Sequence, residues 1–426
     1  MRFAPSRREY SEWQWRWTKD ILGRIATATR CVKSTSLCGH GVEVKKNQRV
    51  KWIRRAARTL AVIVLAIVAY LVLAPTGRYL LRAGWEEGKI LLRRRPIAEL
   101  VDDPSTTPSL RAKLVLVLAA RAYAHDSLGL ETGQSFTAYS RLDRDTLVLL
   151  LSGAYRDKLR ARTWWFPIVG RVPYKGYFDF DAARAAERQL TADGFDARLG
   201  AASAFSTLGW FNDPLLPTTL RADSLTVANT VIHELTHNTF YAPGGAVFNE
   251  SFANFVGSRG AERFFRARGQ TAAAQVVADR WEDEKVLGRF WASLYARVDS
   301  AFAALPGEEP ARVAARIAVR DTIYARARAT LRDTVAPQLR TMKIGSVQRI
   351  RIDNAVVLAR RVYLTDLDAF DAVLTRRGGD LRRTIRDIVE AAKADRKHPF
   401  EALRALGRDS LSRGPSAAES GRGPTS

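Results

Sequence analysis

The sequence predicts an α+β fold, mostly helical, preceded by one N-terminal transmembrane helix. Three observations carry that expectation. Residues 59–75, "TLAVIVLAIVAYLVLAP", hold no charge. Residues 164–179, "WWFPIVGRVPYKGYFD", are aromatic and punctuated by Pro and Gly, as short strands are. After Gly260 the chain is rich in Ala, Arg, Glu and Leu, and proline is rare between Gly307 and Pro399, so helix should follow helix.

The chain has 426 residues, 46% of them apolar, enough for the core of one large domain or two ordinary ones. Its formal charge is +24. Residues 1–58 hold 15 Lys and Arg against 4 Asp and Glu, which places +11 of that excess there. The rest is spread along helical stretches as a solvated face. No nucleic-acid partner is expected, because no zinc-finger or RNP-type motif accompanies the charge. Cys31 and Cys38 are the only cysteines. Their spacing is poor for a metal knuckle, and they cannot staple the main domain.

Taken in order, residues 1–58 form a basic segment, expected in the cytoplasm. Within it Trp13, Trp15 and Trp17 alternate among charges and suit either a membrane surface or a small fold. Residues 59–75 are expected to be a signal anchor. Lys51, Arg54, Arg55 and Arg58 crowd its N-terminal flank, the positive-inside pattern. A cut after Ala74 is disfavoured by Pro75, and no cysteine follows that could carry a lipid. The expected location is the inner (cytoplasmic) membrane, single-pass, with the remaining chain periplasmic. Its contact with the membrane runs through residues 59–75.

A main domain is expected over 78–395. Residues 78–100 read as a helix stopping near Pro96, and 108–131 as a second. "TLVLLLSGAYRDKL" (146–159) is apolar enough to be buried on all sides, as strand or short helix. Residues 181–194 read as a helix with an Asp near its start and Gly194 as its stop. Residues 195–207 read as a strand feeding the turn-rich 208–217. This small β-containing patch directly precedes "VIHELTHNTFYAPGGAVFNESFANF" (231–255). A Gly-, Ser- and Pro-rich tail, 408–426, is expected to be disordered.

That quoted stretch holds two of the chain's five histidines. Asp223 can cap a helix running to about Tyr241, where Pro243-Gly244-Gly245 ends it. His233 and His237, as i and i+4 residues, lie one above the other and can converge on one ion. Glu234 is turned about 100° from His233, placing a carboxylate beside the ion, where it can take a proton from water. A catalytic zinc site needs a third protein ligand and an open position. Glu250, on a second helix beyond the Pro-Gly-Gly break, is the candidate, and Asn254 one turn later can support a ligand. Left as unpartnered polar residues on an otherwise apolar helix, the histidines would be costly.

At these residues the sequence resembles the gluzincin class of HExxH zinc peptidases and, within it, a bacterial family of predicted aminopeptidases, membrane-associated or lipoprotein. The resemblance covers most of 78–390. Its blocks are "LLRRRPI" (91–97), "WWFPIVGRVPYKGYFD" (164–179), "AFSTLGWFNDPLL" (204–216), "HELTHNTFY" (233–241), "FNESFANFVGSRG" (248–260), "DNAVVLARRVY" (353–363) and "GGDL" (378–381). It implies a zincin-like metallopeptidase fold and one Zn2+ per chain, held by His233, His237 and Glu250. Glu234 is implied as general base toward a peptide substrate. In gluzincins an extended segment before the histidine helix lines the cleft, which points to Gly209, Trp210 and Asp213 as substrate-binding, Asp213 for a free α-amine. Tyr363 and Tyr241 are candidate oxyanion donors, with Tyr363 assigned the catalytic role. Two departures stand out. Trp165 and Arg171 occupy positions where the family usually has cysteines, and the lipobox cysteine is replaced by the anchor. The same zinc set would serve an endopeptidase or other amide hydrolase. A non-catalytic membrane-tethered scaffold is the alternative from another class.

Overall fold

A computed structural model describes residues 42–142, 148–166, 170–201 and 214–408. Trp13, Trp15, Trp17, Cys31 and Cys38 lie outside these residues, as do Gly209, Trp210 and Asp213 and the tail from 409. The chain divides into two compact units, Met1–Arg78 and Tyr79–Ser426.

The first unit contains helix α1 (Val42–Leu73). Within it Trp52–Leu73, 22 residues, is long and apolar enough to cross a membrane by length and composition, and none of it is buried in protein. Leu60, Val62 and Leu65 are all exposed. Exposed apolar surface of this extent is unfavourable in water. Helix α2 (Pro75–Leu92) follows after Ala74.

In the second unit the chain does not stay helical to Pro96. Residues Arg94–Pro96 form strand β1, antiparallel to β2 (Ala138–Ser140). Helix α3 (Ile97–Asp102) buries Ile97 and Leu100. Helix α4 (Pro108–Asp126) has Pro108 in its first turn, and the Thr107 hydroxyl oxygen accepts from Leu110 N–H at 3.4 Å. It ends five residues before the expected position 131.

The β-containing patch is a three-stranded antiparallel sheet and a hairpin. Strands β3 (Leu149–Tyr155), β6 (Tyr174–Tyr177) and β7 (Phe195–Ala201) take the order β6-β3-β7. Strand β3 is central, and Leu151, Gly153 and Ala154 are its buried positions, so the segment read as buried on all sides is a partly buried strand. Strands β4 (Trp164–Phe166) and β5 (Gly170–Val172) pair with Trp165 directly opposite Arg171. Trp165 and Arg171, the two departures noted in the sequence, are therefore cross-strand neighbours. Helix α5 (Phe180–Ala192) is capped by Asp179, whose Oδ1 accepts from Asp181 and Ala182 N–H at 2.9 Å each. The cap thus lies two residues before the Asp marked in the sequence. Leu190 of this helix packs with Leu151 and Ala197 in a small apolar cluster.

The remainder is helical: α6 (Pro217–Leu220), α7 (Ser224–Thr239), α8 (Ala246–Ala267), α9 (Thr271–Ala303), α10 (Pro310–Thr330), α11 (Ile344–Gln348), α12 (Asn354–Tyr363), α13 (Leu367–Arg376), α14 (Leu381–Ala394) and α15 (Pro399–Arg408). Helix α8 is the central element. Its Phe248, Phe252 and Phe255 meet Phe370 of α13 at ring separations of 5.4–6.0 Å, with Trp281 of α9 beside Phe255. Polar groups in this core are paired, as burial requires. Asp371 accepts from Arg259 at 2.9 and 2.7 Å, and from Trp281 and Lys285 at 2.8 Å each. The sheet is tied to the helices by buried charges. Arg316 of α10 donates to Asp157 and Arg320 to Asp196, while the backbone N–H of Asn354 donates to Asp196 at 2.9 Å. The start of α12 is thus pinned to the sheet, which fixes where its other end lies. The described residues are mostly helical α+β with small sheets.

Candidate metal centre

Helix α7 is built to present its histidines. Asp223 caps it, Oδ1 accepting from Thr226 N–H at 2.9 Å. Arg280 of α9 holds Asp223 at 3.0 Å, and this pairing draws its pKa down to about 2. Val227, Ala228, Val231, Ile232 and Leu235 are fully buried and drive one face of the helix into the core. His233, Glu234 and His237 are left half-buried on the other side. The helix stops at Thr239, two residues short of Tyr241, which is exposed.

The return to α8 is a tight connection. Gly244 has φ +77°, a conformation that favours glycine. Asn249, directly before Glu250, locks the connection: Asn249 Oδ1 accepts from Ala242 N–H, and its Nδ2 donates to Ala242 O, both at 2.9 Å. Helix α8 then runs back along α7. Asn229 Nδ2 donates to Ser258 Oγ at 3.0 Å. A Cβ on Gly257 would lie 3.1 Å from His233 Cβ, and one on Gly260 would lie 2.9 Å from Ile232 Cγ2. Glycine at 257 and 260 lets the helices approach closely, and that approach carries Glu250 to the histidines.

The three side chains converge. Glu250 Oε2 lies 3.3 Å from His233 Nε2, and Oε1 lies 3.7 Å from His237 Nε2. One ligand atom from each residue falls within 4.8 Å of the other two. Ligands about 2.0–2.1 Å from a shared tetrahedral ion stand about 3.3 Å apart, so the spacing suits one small cation. Burial alone would raise the Glu250 pKa, but hydrogen bonds from His233 and His237 and their charges bring it to about 2. Burial works against a charged His237, yet the carboxylate of Glu250 and then Glu234 raise its pKa. Among the described residues, His237 Nδ1 is buried without a hydrogen-bond partner. Two imidazoles and a carboxylate form a donor set for zinc or a similar transition metal.

Tyr363, the last residue of α12, is brought to this centre from 113 positions beyond Glu250. Tyr363 is 47% exposed; partial desolvation first, then the negative charges of Glu250 and Glu234, push its phenol up to about 12. Its backbone is held by α8. Asn254 Nδ2 donates to Tyr363 O at 3.3 Å, Ser251 Oγ donates to Val362 O at 3.3 Å, and Thr365 N–H donates back to Ser251 Oγ at 3.2 Å. Asn254 was expected to support a metal ligand; among the described residues its bonds go instead to Glu284 (2.8 Å) and Tyr363 O. Arg198 of β7 also acts electrostatically on Tyr363.

Several residues of the site escape sequence reasoning. Asn249 and the Gly257/Gly260 pair had a signal in the quoted "FNESFANFVGSRG". Arg198, which acts on Tyr363 from β7, had none.

Searches of curated proteins and of solved structures find no match. A family model does match, over residues 78–403, and its span includes the triad, Glu234 and Tyr363. The chain belongs to the family described as "Putative aminopeptidase".

Proposed function

We propose that this chain is a membrane-anchored zinc aminopeptidase of gluzincin type, with a zincin-like fold. The observation that carries the reading is the convergence of His233, His237 and Glu250, with Glu234 beside them, in a chain of an aminopeptidase family. A zinc ion held by the three would act as Lewis acid on the scissile carbonyl and lower the pKa of water. Glu234 accepts the proton of the attacking water on its carboxylate and passes it to the leaving nitrogen. The Tyr363 phenol, kept protonated by its raised pKa, donates to the carbonyl oxygen as negative charge develops there. Gly209, Trp210 and Asp213 remain the proposed peptide-binding segment. Trp52–Leu73 is proposed to span the inner membrane, with the basic flank in the cytoplasm and the triad on the periplasmic side.

The test uses the full chain in detergent. Zinc per chain is measured beside a His237→Ala variant, and hydrolysis of aminoacyl-p-nitroanilides beside Glu234→Gln. About one zinc in the parent and none in His237→Ala is expected. Activity should vanish with a chelator, return with zinc, and fall at least about a hundredfold in Glu234→Gln. A parent that takes up no zinc, or a Glu234→Gln variant of full activity, would reject the reading. Products from a longer peptide separate removal of single N-terminal residues from internal cleavage.

A further inference from the structure

Helix α2 (Pro75–Leu92) carries an apolar stripe that nothing covers among the described residues. Leu81, Trp85 and Leu92 are 46%, 66% and 88% exposed. At 100° per residue they fall within about 40° of one another, along about 16 Å of helix. Beside them a Cβ on Gly84 or Gly88 would meet nothing within 4 Å. Large apolar side chains exposed singly are ordinary, but an aligned row of them marks a surface that meets something. Arg82 and Lys89 run along one flank of the stripe, turned about 80–100° from Leu81. Residues 78–95 hold six Lys and Arg against two Glu, an excess of +4.

The opposite face of α2 fixes how the stripe is presented. Ile90 is buried, and its carbonyl oxygen accepts from Ser140 Oγ at 2.8 Å. The Tyr79 ring meets Phe166 of β4 at 5.4 Å, and a Cβ on Gly176 of β6 would lie 3.2 Å from Tyr79 Oη. Glu86 is buried, with Oε1 2.8 Å from Arg82 Nη2 and Oε2 2.5 Å from Lys89 Nζ. A helix held to the sheets by one face cannot turn its stripe inward, and it cannot cross a bilayer. It can lie on one. Two leucines and a tryptophan flanked by Lys and Arg suit a membrane interface: the leucines reach the acyl boundary, the indole sits among headgroups, and the cations meet lipid phosphates.

We infer that the Leu81–Trp85–Leu92 face of α2 lies in the headgroup layer of the membrane and docks the domain that follows onto the lipid surface. The inference rests on the reading of Trp52–Leu73 as a membrane span. Leu81 comes eight residues after the end of that span at Leu73, and eight residues reach at most about 29 Å. Lipid is therefore always within reach of the stripe. A second copy of this chain fits the face less well, because it would bring one basic stretch against its like. The domain thus works pressed against the bilayer, not at the end of a loose tether.

The test is spin-label accessibility in the full chain, reconstituted in vesicles of phosphatidylethanolamine with phosphatidylglycerol. In a background of Cys31→Ser and Cys38→Ser, single nitroxides are placed on Leu81→Cys, Leu92→Cys and Gly88→Cys, the last of which leaves the stripe whole. Ile344→Cys, an exposed site elsewhere on the domain, is the reference. The three α2 labels should be relaxed by oxygen and shielded from a water-soluble nickel chelate at least about fivefold more than the reference. Labels as open to nickel as the reference overturn the inference. Labels shielded from both oxygen and nickel reveal a protein partner on the face and overturn it as well. A label on Leu65→Cys reads the span separately. If it is open to nickel while α2 stays shielded, the membrane-crossing reading fails and the docking stands. If it is shielded while α2 is open, the docking alone fails.

Discussion

Gly257→Ala tests whether the close approach of α7 and α8 makes the metal centre. The added Cβ would meet Asn229 Oδ1 at 2.9 Å, Asn229 O at 3.0 Å and His233 Cβ at 3.1 Å. The side-chain oxygen can rotate away, at the expense of the Asn229–Ser258 bond. The carbonyl oxygen is fixed in α7, so the helices must part by roughly 0.4 Å to restore an ordinary contact. Overpacking of this kind costs about 1–3 kcal/mol. Better helix propensity returns about 1 kcal/mol, leaving a net loss of up to about 2 kcal/mol. The parting also widens the gap between His233 and Glu250, which is 3.3 Å in the parent. Zinc affinity should fall about tenfold, as when a ligand's support is disturbed. Thermal unfolding of the metal-free protein and zinc competition with a chromophoric chelator measure the two effects. Gly88→Ala is the control, because its Cβ would meet nothing within 4 Å. A Gly257→Ala protein as stable as the parent, with undiminished zinc affinity, would refute the argument.

Tyr363→Phe should lower kcat about tenfold to a thousandfold and leave bound zinc unchanged; an unaltered kcat would remove the phenol from the mechanism. Asn249→Ala should destabilise the fold by about 1–3 kcal/mol, since it leaves the N–H of Ala242 unpaired where burial denies it water and leaves the Ala242 C=O with Gly245 N–H as its donor; chemical denaturation measures it. In the metal-free protein the Glu250 pKa is depressed to about 2, so its stabilising contribution is full above the ordinary carboxylate value and is lost as pH falls toward 2. His237 is shifted upward, so its contribution is present below its ordinary value and is lost as pH rises through the raised one. The stability difference between parent and Glu250→Gln, measured with chelator present, should therefore peak at mildly acid pH and shrink on either side. A difference that is flat with pH would show that the three side chains do not interact.

The sequence by itself determined what local periodicity and local chemistry can encode. Asp223 as cap, the apolar stripe from Val227 to Leu235, the four-residue histidine spacing and the Pro-Gly-Gly break specify α7 and its end, because each acts within a turn or two of chain. The charge-free run within α1 and the β-rich aromatic patch were legible for the same reason. Boundaries set by partners were not. Helix α2 yields at Leu92 because the next residues pair with Ala138–Ser140, and such pairing is invisible to a local pattern. The meeting of Glu250 with the histidines depends on two glycines that remove Cβ atoms from a helix crossing and on Asn249 closing the connection. Tyr363 reaches the centre only because α8, α9 and α12 pack together through Ser251, Asn254 and Gly288. These are contacts across 30 to more than 100 residues of chain, which the folded core selects and no local spacing announces.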